Sequence, residues 1–184
     1  MADDRTAPRL RFTVATSNGM MELSYAVQNL AAQPIYLFNR LYKSIDAKSG
    51  FAVDLNLCTV EVKNHTIHIA KKIFPVPPNM HVEKKNLPCV SEVSPGEEFS
   101  EHVALPTPLR QWHPYLTDDS KMQTVTSLPI IFEIGYFFAV PGTRELAVSV
   151  PTAVGTYLRF DPFPITSQLI VAAGPTRDTF QVFV

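Results

Sequence analysis

The residues that could do chemistry in this chain are few and scattered. His65 and His68 lie three apart. On a helix that spacing puts two imidazoles on one face; on a strand it puts them on opposite faces. The neighbouring residues read as strand, so the pair does not predict a chelate. His81, His102 and His113 have no cysteine or carboxylate at ligand spacing, and no metal or other cofactor is expected. Only one loop segment combines an acid with a base: His113 with Asp118 and Asp119. It reads as a solvated loop. There is no G-x-S-x-G elbow and no cysteine in an active-site context. No G-x-G-x-x-G or G-K-[ST] run offers a phosphate cradle. The expectation is a chain that is not an enzyme, with an enzyme of unrecognised type as an alternative.

Lys63, Lys71, Lys72, Lys84 and Lys85 form the one basic cluster, diluted by Glu61 and Glu83. It reads as a solvated strand face and loop that keep an edge from aggregating. With a net charge of −1 there is no general attraction to a polyanion, and no nucleic-acid partner is expected. Asn64-His65-Thr66 matches a glycosylation sequon and reads as coincidence. The aromatic loop residues carry more weight. Trp112 and Tyr115 flank Pro114, and Phe163 sits between Pro162 and Pro164. Trp112, Tyr115 and Phe163 are the candidate partner-binding residues, because such rings bury large area at low entropic cost. The competing reading is that they cap the open end of the fold. Pro75-Val76-Pro77-Pro78 reads as a connector or as a polyproline ligand.

These residues must be positioned by strands. Leu10, Phe12 and Val14 alternate with polar neighbours, as do Leu23, Tyr25 and Val27, and Asn18-Gly19 lies between the two runs. That is the strongest short-range hairpin signal. Further strands are expected near 34–38, 51–62, 65–74, 99–105, 128–138, 146–150, 153–160, 167–172 and 178–184. Leu41 and Ile45 allow a short helical turn within 39–50. A change of phase at Cys58 suggests a bulge or bend. Ile131 and Phe137 make the 128–138 run apolar on both faces, as a central strand requires. Pro141-Gly142 is expected to turn it back into a second hairpin. Residues 106–124 are expected to be a long loop, and residues 1–8 a loose tail ahead of one domain spanning 9–184.

The chain therefore predicts an all-β fold: an antiparallel two-sheet sandwich of about ten short strands, immunoglobulin-like or jelly-roll, with little helix. At 184 residues, 46% apolar and 18% charged, it can bury a substantial core. Only seven charged residues lie between Val125 and Val184: Glu133, Arg144, Glu145, Arg159, Asp161, Arg177 and Asp178. A stretch so poor in charge hides its apolar surface in the core or against a partner. No run approaches the roughly 18 apolar residues of a membrane span, and no signal-peptide h-region is present, so the expected compartment is the cytoplasm. Cys58 and Cys89 fit buried thiols in a reducing cytosol or a single disulfide.

The run from Leu23 to Leu37, LSYAVQNLAAQPIYL, resembles a pattern of immunoglobulin-like domains in bacterial proteins. There a strand ends in Asn, and a Pro-led strand pairs back after a short turn. Ser94-Pro95-Gly96-Glu97 is similar to a turn found later in such domains. The resemblance covers about thirty residues, implies an elaborated immunoglobulin-like sandwich, and transfers no catalytic residue. The expected function is a protein-interaction or assembly module that binds a protein partner or itself as a homo-oligomer. The alternative is a carrier holding a small apolar ligand between its sheets, walled by Phe132, Tyr136 and Phe138.

Overall fold

A computed structural model describes residues 6–46, 50–82, 86–116 and 124–184. In chain order the first nine strands are β1 (Arg9–Ser17), β2 (Met20–Gln28), β3 (Ile35–Arg40), β4 (Tyr42–Asp46), β5 (Gly50–Val53), β6 (Thr59–Lys63), β7 (Thr66–Lys71), β8 (Cys89–Val93) and β9 (Glu98–Pro106). They are followed by β10 (Val125–Leu128), β11 (Ile130–Phe138), β12 (Val148–Thr152), β13 (Gly155–Arg159), β14 (Leu169–Ala173) and β15 (Phe180–Phe183). The described helix is limited to two single 3-10 turns, Arg144–Leu146 and Ile165–Ser167.

The first hairpin forms as its sequence requires. Asn18 and Gly19 take φ of 50° and 74°, which the mirror-image two-residue turns demand. β9 joins the other side of β2, giving an antiparallel three-stranded sheet in the order β1-β2-β9. Leu23, Tyr25 and Val27 point from its inner face into the core, joined by Val103.

The larger sheet runs β4-β5-β12-β13-β8-β3-β11-β7-β6, with β14 also on β11. It curls into a half-barrel and contains parallel pairs, β11 with β7 and β12 with β5. The expected wholly antiparallel two-sheet sandwich is corrected on this point, and the described residues form fifteen strands rather than about ten. The physical reason is long-range pairing. β11 carries β14 along one side; on the other, β7 pairs with Ile130–Ile134 and β3 with Tyr136–Phe138. Alternation along a strand says which residues face inward but not which strand lies alongside. β10 and β15 form a separate two-stranded ribbon.

β3 and β11 are buried on both faces, and their alternation feeds two cores. Ile35, Leu37, Phe132, Ile134 and Tyr136 join the first, between the two sheets. Tyr36, Phe38 and Phe137 join Phe160 in the second. The Tyr25 and Phe132 rings meet across the first core at 4.9 Å, and complete burial of a ring such as Phe132 contributes about 1.5–3 kcal/mol.

Three local expectations are corrected. Residues 42–46 are strand β4, not a helical turn: Tyr42 pairs with Val53 and its ring meets Phe51 at 4.9 Å. The run from Phe51 to Val62 is two strands separated by a turn, in which Leu57 N donates to Asp54 O at 3.1 Å. After Pro141-Gly142 the chain does not return along β11; β12 pairs with β13 and β5 instead.

Candidate functional site

The segment after β9 is strapped rather than loose. Leu109 N donates to Gln181 O at 2.8 Å, and Phe183 N donates to Leu109 O at 2.9 Å. Trp112 and Val60 exchange backbone hydrogen bonds, each of 2.8 Å. The Gln111 side chain accepts from Val62 N and donates to Phe183 O. Residues 107–112 are thus stretched between β6 and β15, which sets the Trp112 ring in place.

Beside this strap lies a groove of about 680 Å³. Leu57, Leu105, Pro106, Pro108, Trp112 and Phe183 supply its apolar lining, and Cys58, Val60 and Leu109 its buried floor. Charge is confined to Lys43, Asp54 and Arg110. Lys43 pairs with Asp54 at 3.3 Å, and the Arg110 guanidinium sits 4.8 Å over the Phe183 ring. Burial pushes the Cys58 thiol up to about 11, against the opposing pull of Lys71. It is therefore protonated at neutral pH and a poor nucleophile.

The three aromatic candidates do not converge. Trp112 is half-buried in this groove. Tyr115 lines a separate recess with Met80 and Val82, and its hydroxyl accepts a hydrogen bond from Asn86 N. Phe163 packs 5.1 Å from Phe38 and 4.9 Å from Phe137, at the margin of the second core. Phe132, Tyr136 and Phe138, the expected walls of a ligand cavity, pack within the first core on Phe12, Tyr25 and one another.

The candidate chemical groups are dispersed as well. His68 contacts Glu133 at 2.9 Å, whereas His65 lies in the preceding turn. His113 stacks flat on Phe74 at 4.3 Å, and its Nδ1 accepts from Tyr115 N. Burial holds that imidazole below its ordinary pKa. Asp118 and Asp119 lie outside the described residues, as do Lys84 and Lys85. Lys63, Lys71 and Lys72 make no basic patch: they pair with Glu61, Glu101 and Glu133 respectively. Among the described residues no cluster of histidine, cysteine and carboxylate could hold a metal ion, and no helix is long and apolar enough to cross a membrane.

Two clusters escaped the sequence reading. Lys71, with no exposure, donates to Glu101 Oε2 at 2.8 Å and to Leu55 O at 2.6 Å. Arg40 and the Tyr25 hydroxyl donate to the same carboxylate. The signal was available: Lys71 follows Ile67 and Ile69 in phase, and Glu101 lies between Phe99 and Val103. Each is a charge on an inward-facing phase.

The second cluster is Ser24, His102 and Glu22, on the outer face of β2 and β9. Ser24 Oγ lies 3.1 Å from His102 Nδ1, and His102 Nε2 lies 2.5 Å from Glu22 Oε2. This is the composition of a hydrolase relay, without its geometry. The Glu22 oxygen makes no hydrogen bond in that contact. β2 is paired along its whole length on both sides, so its backbone has no N–H free to stabilise an oxyanion.

No family model matches the chain, and comparison with curated proteins and with solved structures gave no significant match. The groove around Trp112, lined mainly by apolar side chains, is the candidate site.

Proposed function

We propose that this chain is a non-enzymatic protein-binding module whose groove around Trp112 receives an apolar segment of a partner protein. The observation that carries the reading is the groove itself: a Trp, a Phe, two prolines and two leucines around a recess of about 680 Å³, with its charges at Lys43, Asp54 and Arg110. Aromatic side chains in such a recess are the usual anchors of an interface. The surface chemistry of the C-terminal third supports association too. Among the described residues, eight of the ten exposed large hydrophobics lie between Val125 and Val184, in the charge-poor stretch.

The scaffold is read as an elaborated immunoglobulin-like sandwich, supported by the three-stranded sheet packing over β11 through Tyr25 and Phe132. A reducing compartment such as the cytoplasm suits Cys58 and Cys89, both free and buried.

Trp112 is the only tryptophan, so intrinsic fluorescence reports on the groove directly. Selection of a displayed random-peptide library on the protein should enrich apolar peptides. These should shift Trp112 emission to the blue and lose at least tenfold in affinity against Leu105→Lys. Peptides that bind the variant equally well and leave the emission unchanged would overturn the reading. The groove volume also falls in the small-ligand range of about 300–1,000 Å³. A small apolar ligand is therefore the second reading, favoured if anilinonaphthalene sulfonate binds there while no peptide is enriched.

A further inference from the structure

The edges of the sheets are not treated alike. An edge strand offers unpaired N–H and C=O groups to any passing strand, and natural edges are blunted with charge, proline or bulges. β1 carries Arg9 and Arg11, β4 carries Lys43, β6 carries Glu61 and Lys63, and β9 carries Glu98 and Glu101. β14 reads Leu-Ile-Val-Ala-Ala, with no charge and no proline. It pairs with β11 along one side only. No backbone hydrogen bond from its other side is found among the described residues. Leu169 and Ile170 are adjacent, so they point to opposite faces of the strand, yet they are 43% and 45% exposed. One more strand laid along this edge would cover both.

We infer that β14 pairs with β14 of a second copy of this chain, antiparallel about a two-fold axis through Val171, joining two large sheets into one. Three features favour a second copy over a foreign strand. A two-fold contact turns like charges on the strand towards one another across the axis; β14 carries none, and Glu133, which lies cross-strand from Ala172 on β11, is already paired with Lys72 and His68. In this register Leu169 lies opposite Ala173 and Ile170 opposite Ala172, so on each face the large side chain meets the small one. The contact also closes: β11 occupies the far side of β14, so the assembly stops at a dimer instead of growing into a fibre. This extends the reading of the chain as an interaction module to a second surface, and it does not use the Trp112 groove.

The test is sedimentation equilibrium on the full chain over a wide concentration range. A monomer–dimer equilibrium is expected. Ile170→Lys should weaken it at least tenfold, and so should Ala172→Glu. Both side chains are exposed, so circular dichroism should show both variants folded. Mixing the two variants should restore dimer, because the introduced ammonium of one copy then faces the introduced carboxylate of the other. A chain that is monomeric throughout overturns the inference. So does a dimer insensitive to Ile170→Lys, or one that the mixture fails to rescue. The groove reading is separable: Leu105→Lys should leave the dimer constant unchanged, and peptide binding should persist in monomeric Ile170→Lys.

Discussion

The Lys71 ammonium, fully enclosed, lies 2.8 Å from the Glu101 carboxylate and ties β7 in the large sheet to β9 in the small one. Arg40 from β3 and Tyr25 from β2 complete the contact. Two cations share one carboxylate. The excess positive charge is spread over the Leu55 carbonyl, 2.6 Å from the ammonium, and over the Phe99 and Tyr157 rings, which flank the Arg40 guanidinium at 5.5 and 5.0 Å. Burial pushes the Tyr25 hydroxyl far above its ordinary pKa, with Glu101 adding to the effect, so it remains a donor.

Glu101→Ala should therefore cost about 3–5 kcal/mol, because it strands two buried cations. Urea unfolding followed by circular dichroism measures it. A loss below about 1 kcal/mol, the range of an exposed pair, would show that the cluster does not join the sheets.

The same carboxylate sets an acid limit. Burial alone would raise Glu101, but Lys71, Tyr25 and Arg40 outweigh it and hold the group below the ordinary carboxylate value. Glu133 is likewise lowered against burial by Lys72 and His68. Groups lowered in the folded state contribute fully above their unfolded value, about 4.3 for glutamate. That contribution is lost as pH falls through the lowered folded value. Stability arising from these two groups should hold down to about pH 5 and fall below about pH 4.3. Denaturant midpoints across that range should show a shallower acid slope for Glu101→Gln than for the parent chain.

Gly135 is tied to Gln168. The Gln168 amide accepts from Ile73 N at 2.7 Å and donates to Ile73 O at 3.1 Å, in the manner of a neighbouring strand. A Cβ at Gly135 would run into Gln168 Oε1 and stand 2.8 Å from Lys72 Cβ. Gly135→Ala should cost about 1–3 kcal/mol as an overpacking change. The double variant with Gln168→Ala should lose less than the sum of the two single losses. Strict additivity in thermal unfolding would show that the clamp yields freely.

Phe163 distinguishes packing from docking. Its contacts with Phe38 and Phe137 lead to an expected loss of about 1–3 kcal/mol for Phe163→Ala, with groove-peptide affinity unchanged. An unaltered melting temperature together with lost peptide binding would place Phe163 in the binding surface instead.

Ser24 should resist a fluorophosphonate probe. His102 is 3.1 Å away, but no backbone donor is free to hold the developing oxyanion. Labelling that disappears in His102→Ala would reverse this conclusion.

Much was legible locally. The first hairpin, with β2 at Met20–Gln28, follows from two-residue alternation around Asn18-Gly19, and the double-sided burial of β11 follows from Ile131 and Phe137. These depend on neighbours a few residues apart, where steric preference and side-chain phase are set. The tertiary structure decided which strands became partners: β7 beside β11 in parallel, and β12 beside β13 and β5 rather than back along β11. It also decided which charges met, joining Lys71 to Glu101, and it assembled the groove from Leu57, Leu105, Trp112 and Phe183. Alternation marks a face as inward without naming what lies opposite. That choice belongs to the packing of the whole chain, where long-range burial outweighs local preference.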